Sequence, residues 1–419
     1  MRIIMTALSP SNLGPKLATF IAVMVAVAIP LRVIGVAPQQ LPLSLALIGA
    51  LVLYYISTEI RQRIKQTLTS KTTMFVGAIV LAWAITIPFS LSPLGSAKIG
   101  GRSFLFLFAI VLVWAALKSH KDVHELLWKV LVIGTIACTA AAVLSLLDVP
   151  LILAFMKADL STHEFPQQAF KSFAASELCL IPIVIWAGRR LGGNWRFCAY
   201  THAPLAISVI MLTHNRAALA GLLAMIGIVI FSIVRAKHRH TNILLVLAAG
   251  AAIAIIAWVR IDRLPLVAAH IHGTYLPVWL VDPHRQSIWK FAFEKFLNHP
   301  WLGNGIDQLS KLSGANVIVP ELGHSAFFLP SHPHNWALEI LAESGIIGFL
   351  PVFAALAYIA WQLMKRFVRT QDEDALAQIA LMAGFWASAL FNFSIWAVWW
   401  QLTFFTLFAI VAAAPPRKI

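Results

Sequence analysis

The sequence predicts an all-α polytopic membrane protein with about 12 transmembrane helices and one large outer loop that contains amphipathic helices. Of the 419 residues, 60% are hydrophobic and only 12% are charged, and the mean hydropathy is +0.81. A soluble globular protein carries about 25% charged residues, so this chain has too little polar surface to cover its apolar residues in water. The composition excludes a soluble enzyme, a disulfide-rich secreted domain and a disordered chain.

Long apolar runs supply the predicted spans, because a helix that crosses a bilayer needs about 20 mostly apolar residues. The sixth run contains Glu177, which we expect to pair with a cation of the outer side. The last two runs are separated only by Asn392–Ser394, which predicts a tight hairpin. The runs lie at about 16–36, 40–58, 73–92, 99–118, 125–147, 170–188, 195–213, 216–234, 241–259, 335–364, 375–392 and 394–413.

Basic residues are distributed unevenly between the two ends of the predicted spans. The net charge is +15, and most Lys and Arg fall on the side that the N-terminus shares. Cytoplasmic connections of membrane proteins are rich in Lys and Arg. We therefore predict that both termini are cytoplasmic, and that the excess charge contacts lipid headgroups and not nucleic acid. The predicted regions are spans 1–259, an outer loop 260–334 and spans 335–419.

The outer loop has its own helix signals. Asp282-Pro283 predicts a helix N-cap followed by proline in the first turn. Asn298-His299-Pro300 ends the helix, and Gly303 and Gly305 follow in a turn. We expect an amphipathic helix at the outer membrane surface. Its apolar positions recur at helical spacing and are Ile288, Trp289, Ala292, Phe293, Phe296 and Leu297.

Two arginines of the outer side are candidates for binding an anion. Arg216 begins the eighth run, on the side where the chain otherwise avoids positive charge. Arg285 precedes Ile288 and Trp289 by three and four residues, so it lies on the apolar face of the predicted helix. A charge on that face needs an anion, a lipid headgroup or a carboxylate as its partner. The ordinary alternatives are a snorkelling arginine for Arg216 and a lipid-phosphate anchor for Arg285.

A polar run, His332-Pro333-His334-Asn335, stands at the mouth of the tenth apolar run. Pro333 favours an extended His332, and we expect His334 and Asn335 to begin the helix. Glu339 and Glu343 follow Asn335 by four and eight residues, so the helix carries a polar stripe. A lone histidine is often structural. Because histidine titrates near pH 6.5 and can accept a proton at neutral pH, His334 is nevertheless the candidate general base.

Other polar residues of the outer side carry weaker expectations. Lys98 and Arg102, at the outer end of the fourth run, are either anion ligands or ordinary interfacial anchors. The histidines His324, His332 and His334 are a rival zinc site. Zinc usually takes protein ligands at defined spacings, so we expect no metal and no cofactor.

The stretch PHNWALEILAESGIIG, residues 333–348, resembles the signature of the O-antigen ligase family of bacterial inner-membrane proteins. The pattern is His334-Asn335, a nine-residue gap and Gly345-x-x-Gly348, just after one large periplasmic loop. Arg216 in HNRAALAG and Arg285 in DPHRQSIWKF resemble the two functional arginines of the family. The specific resemblance covers about residues 216–350.

The resemblance implies an inverting, metal-independent glycosyltransferase of lipopolysaccharide biosynthesis. Its donor would be a glycan on undecaprenyl pyrophosphate, and its acceptor the lipid A–core oligosaccharide. The active site would face the periplasm. Fixed guanidinium groups suit this chemistry, because negative charge develops on the departing pyrophosphate.

These considerations give each candidate residue a hypothetical role. His334 takes the proton of the acceptor hydroxyl or orients that hydroxyl. Arg216 and Arg285 hold the donor pyrophosphate, and Asn335 orients the histidine or the helix entrance. Arg102 and Arg263 are weaker helpers in substrate binding.

Three other functions remain open at this point. The family also includes O-antigen polymerases and protein O-oligosaccharyltransferases, which would use the same donor. A secondary transporter is the rival from another class, because transporters are polytopic as well. Transporters often carry internal repeats and polar residues at mid-depth. This sequence shows no repeat, and its polar candidates cluster on one side.

Overall fold

The computed structural model describes residues 10–149, 166–237, 282–319, 322 and 326–416. Within these residues the chain is helical, and its one pairing of extended backbone is an isolated bridge between Ile318 and Phe327. The predicted all-α class is confirmed. The predicted span 241–259 and the candidates Arg263 and His324 lie outside the described residues.

The described helices follow the predicted runs closely. Each predicted run other than 241–259 coincides with a helix, and one short helix, α3, was not predicted. The helices are α1 (Pro10–Ala28), α2 (Val36–Ile56), α3 (Thr58–Leu68), α4 (Lys71–Thr86), α5 (Pro93–Ser119), α6 (His124–Leu146), α7 (Lys171–Leu191), α8 (Asn194–Leu212), α9 (Arg216–Lys237), α10 (Pro283–Asn298), α11 (Trp336–Thr370), α12 (Glu373–Ser388) and α13 (Val398–Ala413).

Eight helices of the described structure are long and apolar enough to cross a membrane, which makes this a multi-pass membrane protein. They are α1 with the 3-10 turn that follows it, α2, α4, α5, α6, α7, α9 and α11. Helices α12 and α13 are apolar but have only 16 residues each. Helix α8 has 19 residues, and its first half is polar.

Local sequence explains where the early helices begin. Ser57, Ser70 and Ser92 each accept a hydrogen bond from the backbone amide three residues later, and so cap α3, α4 and α5. Helix α3 buries Ile60 and Ile64, one turn apart, and leaves Arg61 and Lys65 exposed. It is an amphipathic connection between two spans.

The predicted tight hairpin at Asn392–Ser394 is wrong. Helix α12 ends at Ser388 and α13 begins at Val398, so residues 389–397 form an irregular segment of nine residues. We call residues 389–397 the α12–α13 segment. Hydropathy gave no sign of it, because its polar backbone is hydrogen-bonded inside the protein by side chains of α5, α11 and α13.

The predicted partner of Glu177 is also wrong. This carboxylate lies fully buried in α7 and accepts hydrogen bonds from Thr139 Oγ1 at 3.0 Å, while its second oxygen lies 2.7 Å from His202 Nε2. Helix α7 is the most deeply buried of the eight long apolar helices. The Glu177 carboxylate is therefore hydrogen-bonded by side chains of neighbouring helices and does not pair with the outer arginines.

The bundle has two ends with different polar contacts. We call the end at which α9 and α11 begin the upper end, and the other the lower end. At the upper end, Arg32 Nη2 donates to Ser172 Oγ at 2.6 Å. At the lower end, Arg190 Nη2 donates to Asp374 Oδ2 at 2.5 Å. All the predicted site residues that the structure describes lie at the upper end.

Candidate active site

Helix α10 begins and ends where the sequence predicts. Asp282 is the N-cap, and its Oδ1 accepts from the Arg285 amide at 2.9 Å. The buried face is Ile288, Phe291 and Ala292, which packs against the chain after α10 and against α11. Phe293 and Leu297, predicted as part of the apolar face, are instead exposed. The packing partners of α10 arrive from distant sequence, so helical spacing alone could not identify its buried side.

Arg285 lies on the same face of α10 as Ile288 and Trp289. Its side chain is 29% exposed. Its Nε lies 3.4 Å from Asp282 Oδ2, which is a long and partly solvated ion pair. Burial lowers the pKa of Arg285, and the charge of Arg216 lowers it further. The two arginines predicted as anion ligands are therefore close enough to repel each other. Two guanidinium groups whose charges act on each other favour the binding of a polyvalent anion.

Arg216 is the first residue of α9 and its side chain is exposed. The preceding Asn215 anchors the helix start: Oδ1 accepts from the Ala218 amide at 3.0 Å, and Nδ2 donates to the Lys171 carbonyl at 2.8 Å. Arg216 forms no ion pair with any residue that the structure describes. A cation at a helix N-terminus is electrostatically unfavourable, so this position suits an arginine that meets an anion.

His334 lies just before α11 with a left-handed backbone, φ 52°. Its Nδ1 is 2.9 Å from the carbonyl oxygen of Asn392, in the α12–α13 segment. A carbonyl can only accept, so Nδ1 carries the proton of the neutral ring. This tautomer leaves the lone pair of Nε2 available to accept a proton from a substrate.

The surroundings of His334 keep the ring neutral. Burial lowers its pKa, and the charge of Arg285 lowers it further, while the Asn392 carbonyl and Asp282 act in the opposite direction. The neighbouring His332 ring has its centroid 4.1 Å away, and burial lowers its pKa to about 3. Both imidazoles are therefore uncharged at neutral pH, which is the state that a general base requires.

Trp289 of α10 contacts the residues next to His334 and Asn392. Its Nε1 donates to the carbonyl of Pro333 at 2.9 Å, directly before His334. Its ring also packs against Phe391, which directly precedes Asn392, with centroids 5.9 Å apart. One residue of α10 thus contacts both segments that hold the imidazole, and Arg285 lies one turn before it.

Asn335, predicted to orient the histidine or the helix entrance, is the N-cap of α11. Its Oδ1 accepts from the amides of Ala337 and Leu338, both at 3.1 Å. The amide oxygen is therefore occupied by the helix. Its part in substrate binding stays a prediction.

The two acidic residues of the predicted stripe are both buried and both bind the α12–α13 segment. Glu339 accepts from Ser394 Oγ at 2.5 Å and from the Ile395 amide at 2.8 Å. Glu343 Oε2 accepts from Trp396 Nε1 at 2.5 Å. The spacing of the glutamates was readable in the sequence, whereas their partners, more than 50 residues away, were not.

Arg102 also reaches this segment. Its Nη2 donates to the Trp396 carbonyl at 2.8 Å, and its charge acts on the half-buried Asp307, whose pKa burial raises. Asp307 has a left-handed backbone, φ 57°, and sequence reasoning did not single it out. Lys98 is exposed. Arg102 is thus adjacent to the candidate site, with part of its guanidinium already bound.

The residues that the structure describes contain no cluster of side chains arranged to bind a metal ion. No group of three or more His, Cys, Asp and Glu side chains lies there in a position to hold one ion. His332 and His334 are neighbours, but His324 falls outside the described ranges.

Known proteins resemble the part of the chain that contains Arg216, Arg285 and His334. Residues 203–353 match the family model described as "O-Antigen ligase". This stretch is similar to the O-antigen ligase family. The resemblance drawn from His334, Asn335 and the glycine pair is confirmed, and the matched stretch contains Arg216, Arg285 and His334.

The curated relatives are proteins of Rickettsia that carry the name "Putative polysaccharide ligase". The protein of Rickettsia conorii is 29% identical over 128 residues, which are 30% of this chain and 30% of the relative. That of Rickettsia prowazekii is 29% identical over 131 residues, 31% of each chain. That of Rickettsia bellii is 27% identical over 144 residues, 32% of this chain and 34% of the relative. The chain therefore aligns with about a third of the length of these relatives.

Gly345, the first glycine of the pair, breaks α11 eleven residues after His334. Gly345 has φ 64°, and a Cβ there would lie 2.2 Å from the Trp301 carbonyl oxygen. The break frees the Ile346 amide to donate to Pro300 at 2.8 Å. At Gly348, a Cβ would lie 2.2 Å from Ser344 Oγ. Gly345 needs to be glycine because the chain that follows α10 crosses α11 here, whereas Gly348 leaves room for the side chains of Ser344 and Trp83.

Proposed function

We propose that this protein is an O-antigen ligase that transfers a glycan from undecaprenyl pyrophosphate to the lipid A–core oligosaccharide. One observation carries the proposal. Arg216, Arg285 and a neutral His334, which belong to three separate stretches of the chain, cluster at one end of the bundle within the stretch that matches the O-antigen ligase family model. Guanidinium pairs and a neutral imidazole are the groups that glycosyl transfer from a pyrophosphate needs.

The arginines would act on the leaving group. The bond between the anomeric carbon and the pyrophosphate oxygen breaks, and its electron pair leaves with undecaprenyl pyrophosphate. Arg216 and Arg285 then neutralise the growing negative charge, and arginine suits this because its planar fork can contact phosphate in a bidentate manner. Partial burial of Arg285 strengthens the interaction relative to water. Pyrophosphate is already a good leaving group, so the proposal invokes no cofactor.

His334 would act on the acceptor. A hydroxyl oxygen of the acceptor sugar attacks the anomeric carbon from the side opposite the pyrophosphate, so the configuration inverts. The hydroxyl proton passes to Nε2 of His334. The imidazolium that forms keeps its Nδ1–H bond to the Asn392 carbonyl, which stabilises the positive charge. General-base assistance of this kind contributes about 10²- to 10⁴-fold in rate.

The proposed location is the bacterial inner membrane, with the upper end facing the periplasm and both termini in the cytoplasm. The lower end supports this orientation, because Arg63, Lys118, Arg189 and Arg190 all lie there and cytoplasmic ends are rich in basic residues. Long-chain lipid substrates would then reach Arg216 and Arg285 from the outer leaflet. Membrane lipids are the remaining proposed partners.

A reconstituted transfer assay tests this proposal. The full chain in liposomes receives glycan on undecaprenyl pyrophosphate, with lipid A–core, a second lipid-linked glycan or a protein as acceptor. We expect glycan on lipid A–core, loss of at least 100-fold in rate for His334→Gln, and wild-type rate for Lys290→Ala, an exposed control on α10. Elongation of the lipid-linked glycan alone would identify a polymerase, and glycan on the protein alone an O-oligosaccharyltransferase. Transfer by His334→Gln at the wild-type rate would remove the base from the mechanism.

A further inference from the structure

The α12–α13 segment is held by buried side chains along its length. Glu339 binds Ser394 and the Ile395 amide, as described above. Gln401 Nε2 donates to the Ile395 carbonyl at 2.8 Å. The amide of Trp336 donates to the Ala389 carbonyl at 3.1 Å. Irregular backbone inside a helical bundle is stable only if its amides and carbonyls find such partners.

These contacts form a closed path that begins and ends at the entrance of α11. His334 donates from Nδ1 to the carbonyl of Asn392. Two residues later Ser394 donates to Glu339, which lies in α11, five residues after the histidine. The helix entrance that carries the imidazole therefore also fixes the position of the carbonyl that the imidazole binds.

We infer that Glu339 is a positioning residue for His334: it holds the α12–α13 segment so that the Asn392 carbonyl keeps the proton of the neutral ring on Nδ1. The inference rests on the proposed function where it predicts an effect on the rate of glycan transfer. The tautomer of His334 can be measured in the protein without any substrate. A side-chain substitution cannot remove the Asn392 carbonyl. The Glu339 side chain, which positions that carbonyl, can be substituted.

A glutamate fits this role because it presents two acceptor atoms to two adjacent donors. The Ser394 hydroxyl and the Ile395 amide point at separate oxygens of one carboxyl group. Glutamine can retain the arrangement: its oxygen accepts from the amide, and its NH2 group donates to the Ser394 oxygen, since a hydroxyl both accepts and donates. Alanine leaves both donors without a partner in a buried place, and the segment is then free to shift.

The first test measures the tautomer directly. The full chain, with its 14 histidines labelled with ¹⁵N, is placed in nanodiscs, and the His334 signals are assigned by difference from His334→Gln. At neutral pH we expect the wild-type protein and Glu339→Gln to show protonation at Nδ1 only. We expect Glu339→Ala to show a mixture of the two tautomers. Protonation at Nδ1 only in Glu339→Ala would overturn the inference.

The second test separates chemistry from binding. For Glu339→Ala we expect kcat to fall about 10- to 100-fold, as is typical when a group that orients a reactive histidine is lost, while donor Kd stays within about twofold. Glu339→Gln should stay within about threefold of wild type in both. Equal losses for the alanine and glutamine variants would contradict positioning through hydrogen bonds.

One further variant keeps the outcome decisive. If Glu339→Ala does not fold, Ser394→Ala removes only one hydroxyl from the same path and takes its place in both tests, with the same expected direction. Failure of the proposed function has a different signature from failure of this inference. A wild-type protein without transfer activity would sink the glycosyltransferase proposal, yet the tautomer comparison would still decide the role of Glu339.

Discussion

Left-handed backbone marks two histidines of the upper end. His334 has φ 52° and precedes α11, and His214 has φ 50° and precedes α9 by two residues. Such conformations cost about 1–3 kcal/mol for residues other than glycine, and they persist only where surrounding structure holds them. Tertiary contacts hold His334, since Asn392 binds its ring and Trp289 binds the preceding carbonyl. Each strained turn leads directly to a helix start that carries a candidate group.

Substitution of the arginines should weaken donor binding. Arg285→Ala and Arg216→Ala should each raise the Kd for undecaprenyl pyrophosphate about 10- to 100-fold, because a hydrogen bond to a charged group contributes about 1.5–3 kcal/mol. Lysine at either position should restore only part of the affinity, because an ammonium cannot contact phosphate in a bidentate manner. Titration of labelled donor into nanodiscs measures this.

Matched controls for these variants are Lys290→Ala on the same helix as Arg285, and Arg61→Ala, an exposed arginine of the lower end. Both should bind donor as the wild type does. Wild-type affinity in Arg285→Ala and in Arg216→Ala would mean that the diphosphate lies elsewhere.

The pH dependence of transfer should report the neutral His334. Its pKa is lowered below the ordinary 6.5, chiefly by burial and then by Arg285. The active form is unprotonated, so kcat at saturating donor should stay constant from neutral pH down to about 6.5 and fall only below that pH. The charged and titratable neighbours of the ring are His332, Arg285, Asp282 and His284. An acid limb at or above 6.5, with donor binding unchanged across that range, would contradict this assignment.

At the scale of single residues, the location of Arg216, Arg285 and His334 at one end of the bundle was predictable, whereas their partners were not. Arg216, Arg285 and His334 were predictable because their residue types and positions at helix starts are informative. The partner of His334 was not predictable, because it is a backbone carbonyl and any residue could supply it. Asp307 escaped notice for a similar reason, since its strained backbone leaves no pattern in the sequence.

Among the elements, α11 shows most clearly how a local break serves the site. Its 35 residues are interrupted at Gly345, where amides of the second half bind the chain between α10 and Asn304. The Asn304 amide and the Gly305 amide donate in turn to the carbonyls of Ala342 and Glu343. This crossing fixes the chain that follows α10, the helix of Arg285, against α11, the helix that His334 directly precedes.

Gly345→Ala should therefore destabilise the protein. The new Cβ would meet the Trp301 carbonyl in a left-handed conformation, at a cost of about 2 kcal/mol or more. Gly77→Ala is the control, because Gly77 lies inside α4 with open space around it and alanine favours helix by up to about 1 kcal/mol. Thermal unfolding in detergent should show a lowered Tm for the first variant and an unchanged or slightly raised Tm for the second. Equal Tm values for Gly345→Ala and wild type would show that the crossing is not tight.

Element boundaries followed from the sequence where helix signals are local. The cap at Asp282, the end at His299 and most spans were predicted from capping residues and apolar runs. The α12–α13 segment was missed because its residues are apolar enough to continue a span. Its irregular shape depends on Glu339, Glu343 and Arg102, which approach from other helices, and periodicity carries no such information.

At the scale of the whole molecule, the two ends of the described structure differ in how their arginines are used. At the lower end, Arg189, Arg190 and Arg366 each bind a carboxylate at the start of α12 or directly before it. At the upper end, Arg285 has one long contact and Arg216 has no ion pair within the described residues. Paired arginines stabilise the fold, whereas the available ones suit a charged substrate.

The orientation of the molecule can be tested by labelling single cysteines. After Cys138, Cys179 and Cys198 are replaced by alanine, a cysteine is introduced as Lys290→Cys at the upper end or Lys65→Cys at the lower end. We expect a membrane-impermeant maleimide to label the first in cells with a permeabilised outer membrane, and the second only after the inner membrane is opened. The reverse pattern would place the arginines and His334 in the cytoplasm, away from the proposed acceptor.

The central claim is that Arg216, Arg285 and His334 surround one diphosphate-linked sugar. A density map of the full chain in nanodiscs with bound undecaprenyl pyrophosphate glycan tests it most directly. We predict phosphate oxygens within about 3.2 Å of both guanidinium groups, and His334 Nε2 facing the side of the anomeric carbon opposite the leaving oxygen. A diphosphate bound at the lower end, or at the upper end beyond the reach of both arginines, would contradict the account.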